Sequence, residues 1–362
     1  MSATRDASRI ASLDLLRGIA AFSVAIPHYL VLDGRYSEGA EIISILAVEV
    51  FFVMSGFVLA PQILRCMRSG RLSDLRVFLM RRWMRTIPPF TFALIVIAVL
   101  SGQLLTADFS RYLFYVQNFF GQHNHNDFFP VAWSLSIEEW FYVIFPAVVV
   151  LGARWGRRAG SRFEVAIAVG FIAVITLART LLGNDAEWGA AVRRVVVFRV
   201  DSIAYGFLLY LAAGKPHVSE HVEIEGTGGR LWVAAAACAA ALAAAAAAAW
   251  WAGVGRSTLA QHAFPFAAAG LGASAIHLFY CIGARLDRHR AYAAFGDFMG
   301  RISYSTYLFH LIVAQIVVQR MAPVPGPARF LAFLAALVAF CSLFYEYFER
   351  PILTARPRYP RR

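Results

Sequence analysis

Apolar stretches of about 20 residues recur along this chain, separated by short polar segments rich in arginine. An α-helix needs a run of roughly 20 residues to cross a bilayer core. The pattern predicts about ten spans, near residues 13–32, 42–63, 88–105, 131–151, 163–182, 194–213, 231–251, 263–282, 299–319 and 328–347. The expected fold class is an all-α polytopic membrane protein with about ten transmembrane helices. Residues 111–120 are too short and amphiphilic to span, and read as an interfacial or re-entrant piece on the outer side. Segment 234–249 is nearly pure alanine, with Trp232, Trp250 and Trp251 at its ends as interfacial anchors. It reads as a closely packed or peripheral span without chemistry of its own. The Gly- and Glu-rich stretch 214–230 reads as a linker between six spans and four. No internal repeat is visible, which weighs against a transporter of duplicated halves.

Composition narrows the class. Only 15% of residues are charged, against about 25% in soluble domains, so a large soluble enzyme is excluded. The net charge is +12, and of the 34 basic residues all but Lys215 are arginine. They gather in alternate connections: Arg65, Arg68, Arg71, Arg76, Arg81, Arg82 and Arg85 fall within 64–87, with further groups in 152–162, 283–301 and the tail after Phe348. This is the positive-inside distribution, and it predicts both termini to be cytoplasmic; it argues against nucleic acid as a partner. Residues 1–11 form a short cytoplasmic N-terminus and 353–362 a basic cytoplasmic tail around a single transmembrane domain at 12–352. The first apolar run carries Asp14 and Arg17 and lacks a small-residue cleavage site, so it reads as a retained helix. Cys66, Cys238, Cys281 and Cys341 have no metal spacing and read as packing residues.

Against this background the ionisable residues inside the spans stand out, since such groups usually line a pathway or a reaction chamber. Arg17 and His28 lie eleven residues apart in span 1, on nearly one helix face, with Pro27 loosening the backbone at the carbonyl of Ser23. In span 2, Glu49 reaches a depth comparable to His28 and would suit an imidazole-orienting carboxylate. Ser55-Gly56 after it offers a small surface for close helix contact. Arg82 and Arg85 share a face before Pro88-Pro89, suited to phosphate oxygens or simply to setting topology. Span 4 opens with Trp133, Ser134, Glu138 and Glu139; neighbouring glutamates diverge by about 100°, so one faces a chamber and the other snorkels or pairs with Arg199. Trp133 could wall a polar acceptor. Arg199 and Asp201 could equally pair with each other, His28 could be a helix-bridging imidazole, His310 could be a packing residue, and Glu49 could be structural. Span 9 adds Tyr304, Tyr307 and His310. His123 and His125 read as parts of a polar outer loop, and no metal site, P-loop or nucleophile elbow is present in the sequence.

Taken in order, these segments resemble the acyltransferase-3 family of integral-membrane acyltransferases. Leu13 to His28 is similar to its Arg-x10-His element, Val48 to Phe57 to its V(D/E)xFFxxSGF segment, and Arg82 to Arg85 to its RxxR element. Trp133 to Tyr142, Arg199 to Asp201, Ile302 to His310 and Phe348 to Pro351 also match, over about residues 12–352. The departures are Leu15 where glycine is usual, Glu49 where aspartate is commoner and Trp140 where glutamine is frequent. The SGNH hydrolase-like domain that some members carry is not expected here.

The resemblance implies transfer of an acyl group, most often acetyl from acetyl-CoA, to a hydroxyl of a carbohydrate such as exopolysaccharide, lipopolysaccharide O-antigen or another glycosylated acceptor, in a bacterial inner membrane. Acyl-CoA is then a co-substrate, with no permanently bound cofactor. Arg17, Arg82 and Arg85 are expected to bind the CoA phosphates. His28 is expected as base or acyl relay, oriented by Glu49 or, second, Glu138. Ser55, Ser134, Tyr304 and Tyr307 are candidate oxyanion donors, and Trp133, Arg199 and His310 candidate acceptor contacts. The rival expectation is a transporter or flippase for a lipid-linked sugar using the same His, Glu and Arg residues as a proton pathway; a structural subunit of a polysaccharide synthase is a third.

Overall fold

The computed structural model describes residues 10–121, 127–156, 160–183, 187–213, 227–253, 257–357 and 359. His123, His125, Lys215, residues 1–9 and linker positions 214–226 lie outside these described residues. Helices dominate: α1 (Ala11–Leu32), α2 (Glu38–Ser69), α3 (Leu72–Leu100), α4 (Ala107–Leu113), α5 (Ala132–Gly156), α6 (Ser161–Leu182), α7 (Val196–Arg199), α8 (Ala204–Ala212), α9 (Thr227–Gly253), α10 (Thr258–Leu286), α11 (Arg290–Arg320), α12 (Gly326–Phe344) and α13 (Arg350–Thr354). A π-helical turn (Trp188–Arg193) precedes α7, and another (Tyr345–Glu349) joins α12 to α13. The chain is a multi-pass membrane protein: among the described residues, nine helices are long and apolar enough to cross a bilayer.

Two expectations change here. The sixth span, expected over 194–213, is broken into α7 and α8. The break has a partner: Arg179 on α6 reaches across to the Phe198 carbonyl and to both oxygens of Asp201, at 3.3 Å each. A guanidinium that takes a backbone carbonyl and the carboxylate just beyond it stabilises a turn there. Irregular backbone is tolerated at such depth when it is buried in protein, and Phe198 to Ala204 are all buried. The basic loop expected over 64–87 is also mostly helix. α2 runs 32 residues, about 48 Å, well beyond a bilayer core of roughly 30 Å. It stops at Gly70, whose φ of +58° is the left-handed conformation that glycine adopts at least cost. α3 begins two residues later, so Arg82 and Arg85 stand on a rigid helix. α1 runs unbroken through Pro27.

α1 lies along α11, with α2 and α10 flanking it, and α9 packs on α10. Small residues let these helices approach. A side chain at Gly18 would meet Met299, and one at Gly300 would meet the Asp14 side chain at 2.5 Å. A side chain at Gly56 would overlap the Ile203 carbonyl, and one at Gly206 the Val53 carbonyl. This reciprocal contact locks α8 against α2, as the Ser55-Gly56 surface suggested. Lipid competes for apolar surface between helices, so close packing carries the association.

Gly56→Leu must therefore push α8 away, and is expected to lower stability by at least about 1–3 kcal/mol. Gly270→Ala, which meets nothing within 4 Å, should shift it by no more than about 0.5 kcal/mol. Thermal midpoints of the detergent-solubilised protein check both; equal midpoints would show that the α2–α8 contact is not tight.

Candidate functional site

Two cavities lie end to end within the bundle. The first is lined by Arg17, Arg82 and Arg85 together with Ser55, Thr86, Ser134, Glu138, Tyr142, Tyr304 and Tyr307. The second contains His28, Ser44, Trp133, Arg193 and Arg194. Val48 and Tyr307 line both, so the two cavities adjoin at these residues. Counting the solvent space at their open mouths, they enclose about 730 and about 850 Å³.

The first cavity gathers charge from three helices. Arg82 and Arg85 project from one face of α3, three residues apart, toward Arg17 on α1. Arg17 also contacts Asp14 one turn earlier, at 3.4 Å. The Arg82 Nε has no hydrogen-bond partner among the described residues. Tyr304 donates to the Thr86 carbonyl at 2.8 Å, holding α11 against α3 beside the two prolines. Glu138 accepts from Ser55 at 2.9 Å and from Tyr142. The segment after α13 folds back over this end, with Arg81 donating to the Pro357 carbonyl at 2.7 Å and Arg65 stacked on Tyr359 at 4.3 Å.

In the second cavity the two histidines are coupled. His28 Nδ1 and His310 Nε2 lie 2.8 Å apart, with ring planes 17° apart. The direction of the bond follows from the next one. His310 Nδ1 faces the Thr306 carbonyl at 3.1 Å, and a carbonyl only accepts, so that nitrogen carries the proton. His310 Nε2 then offers a lone pair, and His28 Nδ1–H donates to it. This leaves the lone pair of His28 Nε2 to accept, with the Ser44 hydroxyl at 3.4 Å as its hydrogen-bond contact among the described residues. The arrangement is chemically that of an oriented base.

The carboxylate expected beside His28 is elsewhere. Glu49 is bound by Arg199 at 2.6 Å, both buried, and Arg199 also donates to Ser202 at 3.0 Å. Glu138 faces the first cavity, so neither glutamate orients the imidazole. The expected alternatives of Arg199 with Asp201 or with a span 4 glutamate are likewise not formed, because Asp201 belongs to Arg179. Of the other candidates, Ser134 and Tyr307 share a hydrogen bond of 2.6 Å at the junction. Ser55 and Tyr304 line the first cavity, and Trp133 lines the second.

Sequence reasoning passed over Arg193, Arg194 and their support. Asn118 donates to the carbonyls of Trp133 and Arg194, at 3.0 and 2.5 Å, and its own carbonyl accepts from Val196 at 3.0 Å. The stretch after α4 thus braces the turn that carries both arginines. Tyr115 anchors that stretch with a φ of +57°, its carbonyl held by Trp140 at 3.0 Å. Tyr112 donates to Asp127 at 2.7 Å; burial and this carboxylate push its ionisation above the usual phenol range. The available signal was a pair of arginines on the side where the charge rule expects few.

Comparison with known proteins gives one extended match. The acyltransferase-3 family, described as an acyltransferase domain, matches residues 10–346. The peptidoglycan O-acetyltransferase OatA of Listeria monocytogenes is 26% identical over 182 residues, 46% of this chain and 28% of that protein. The O-acetyltransferase OatA of Staphylococcus aureus is 30% identical over 152 residues, 38% of this chain and 24% of that protein. The chain therefore aligns with about a quarter of the length of these curated relatives. No solved structure matches it significantly.

The Glu49–Arg199 pair forms part of the frame behind the second cavity. Glu49→Ala strands a buried guanidinium and is expected to cost about 3–5 kcal/mol of stability. Adding Arg199→Met should recover much of that loss, because the charge leaves with its partner. Unfolding of the two variants in detergent checks this; a single variant as stable as the parent would show that the pair holds nothing.

Proposed function

This chain belongs to the acyltransferase-3 family, and on that premise we propose that it is a membrane O-acyltransferase. It moves an acyl group, most simply acetyl from acetyl-CoA, onto a hydroxyl of a carbohydrate or glycosylated acceptor. The observation that carries this reading is the meeting of two cavities at Val48 and Tyr307, one walled by three arginines and the other holding His28. The relative in Listeria named as a peptidoglycan O-acetyltransferase acts on a carbohydrate polymer, in keeping with this acceptor class.

In this reading the arginine-rich face is cytosolic and the protein sits in a bacterial inner membrane. Arg17, Arg82 and Arg85 hold the CoA phosphates, for which guanidinium forks are suited. The pantetheine arm extends past Ser55 and Tyr304 and brings the thioester carbonyl to the Ser134–Tyr307 junction. His28 Nε2 takes the proton of the acceptor hydroxyl as its oxygen attacks that carbonyl. The new C–O bond forms, the C–S bond breaks, and the departing CoA thiolate receives the proton from His28. In this reading the Ser134 or Tyr307 hydroxyl leaves its bond to the Val131 carbonyl to donate to the intermediate oxyanion. His310 is a positioning residue, which fixes the tautomer that leaves Nε2 unprotonated.

Three variants test the assignment with purified protein and acetyl-CoA. His28→Ala should abolish transfer while CoA still raises thermal stability by mass action; a variant retaining parental turnover would remove the base from the proposal. Arg82→Ala should weaken CoA binding roughly 10- to 100-fold, as loss of a charge-assisted contact does. A transporter predicts no stabilisation by CoA at all. His310→Leu removes the acceptor for the His28 Nδ1 proton and should slow turnover, by up to the roughly 10²–10⁴-fold that a general base supplies. His310→Gln keeps an acceptor oxygen and should restore part of the rate; equal rates for the two variants would exclude the positioning role.

A further inference from the structure

The cavity that holds His28 contains more positive charge than its own walls balance. Arg193 and Arg194 both line it, and Glu41 is the sole carboxylate among its described lining residues. Glu41 sits at the exposed mouth and already accepts the Tyr36 hydroxyl at 2.7 Å. Arg193 is only 4% exposed, stacked across Trp133 at 4.9 Å and Trp188 at 5.5 Å. Its Nε and that of Arg194 have no hydrogen-bond partner among the described residues. The nearby Glu49 carboxylate binds Arg199 through one oxygen and makes no hydrogen bond to either arginine through the other. Aromatic faces tolerate a guanidinium, but they leave its N–H groups unbonded in the plane of the fork.

A buried cation without a counter-ion is costly, and proteins keep one where a ligand supplies the missing charge. Here the backbone does not let the arginines relax outward. Asn118 grips the Arg194 carbonyl, and residues 196 and 197 donate to the carbonyls of Asn118 and Phe119 at 3.0 and 3.2 Å. The doublet is thus aimed into the chamber by a braced turn.

We propose that Arg193 and Arg194 form an anion-binding subsite for the acyl acceptor. The molecule whose hydroxyl meets His28 carries a carboxylate or phosphate beside it, taken by the guanidinium forks. This rests on the acyl-transfer reading above and narrows its acceptor to an anionic carbohydrate. The charge has two sources of shared chemistry: an acidic sugar, or the phosphate linking a glycan to its carrier. The rival role for the arginines is stabilisation of the reaction's own oxyanion, which would serve neutral and charged acceptors alike.

The test gives the full-length protein, with acetyl-CoA, three matched acceptors: methyl glucoside, methyl glucuronoside and a methyl phosphodiester of glucose. Transfer is read as kcat/KM by mass spectrometry, and CoA binding as a thermal shift on the same preparations. At least one charged acceptor should exceed the neutral one roughly 10- to 100-fold, and the better one identifies the source of charge. Arg194→Gln should bring that ratio toward one, and Arg194→Lys should preserve part of it. Equal use of all three by the parent protein overturns the subsite, as does an equal loss on all three in Arg194→Gln. So does the absence of transfer to, and stabilisation by, any of them while CoA still binds. The parental ratio needs no variant, so a misfolded Arg194→Gln leaves the test intact. Absence of CoA stabilisation, or turnover that survives His28→Ala, instead strikes at the acyl-transfer reading itself.

Discussion

An ionised side chain held between lipid-facing helices must meet either an opposite charge or a space that water or a polar ligand can fill. That constraint sorts the buried charges of this protein into two kinds. Glu49 with Arg199, and Asp201 with Arg179, are closed pairs within the wall. Arg17, Arg82 and Arg85 face one cavity, and Arg193 and Arg194 face the other. The closed pairs build the frame and the cavity-facing arginines offer binding surface. Residue type alone does not separate the two kinds. Position does: the first kind is paired inside the wall, and the second lines a cavity.

The frame depends on breaking one span. A continuous helix through 194–212 would satisfy its own backbone and leave Arg179 with no carbonyl to take. By interrupting it at Val200–Ile203, the fold frees Asp201 for Arg179 and turns Arg199 toward Glu49. It also lets the preceding turn swing Arg193 over Trp133 and bring Arg194 into the same cavity. The glycine contact between Gly56 and Gly206 then holds the second half of the broken span against α2. One structural irregularity therefore supports the ion pair and the arginine doublet together.

What could be read from the sequence follows from the range of the forces concerned. Span positions were legible, because hydropathy sums over about 20 neighbouring residues and α1, α2, α5, α6 and α9 to α12 fall where it peaks. The break in the sixth span was not, since its cause is Arg179, on a different helix. The site residues were legible as types: His28, Glu49 and Arg199 are each conspicuous in an apolar run. Their partners were not. His28 and His310 meet across 282 residues of chain, and Glu49 and Arg199 across 150. Depth matching suggested Glu49 for His28, yet depth says nothing of which way a helix face turns. A guanidinium nearby also outcompetes a neutral imidazole for a carboxylate.

The coupling of the two imidazoles is in turn a consequence of helix packing. His310 lies on α11 and His28 on α1, and those helices are drawn together by glycines nearer the arginine-rich end, Gly18 under Met299 and Gly300 under Asp14. A slip of α11 by one turn moves every side chain along it by about 5.4 Å, enough to take His310 out of reach of a 2.8 Å bond. The same slip would carry Tyr307 away from Ser134 and open or block the junction between the cavities. Small residues more than a turn away from the imidazole therefore set the tautomer of His28, because the contact that fixes helix register and the bond that fixes the proton lie on the same pair of helices.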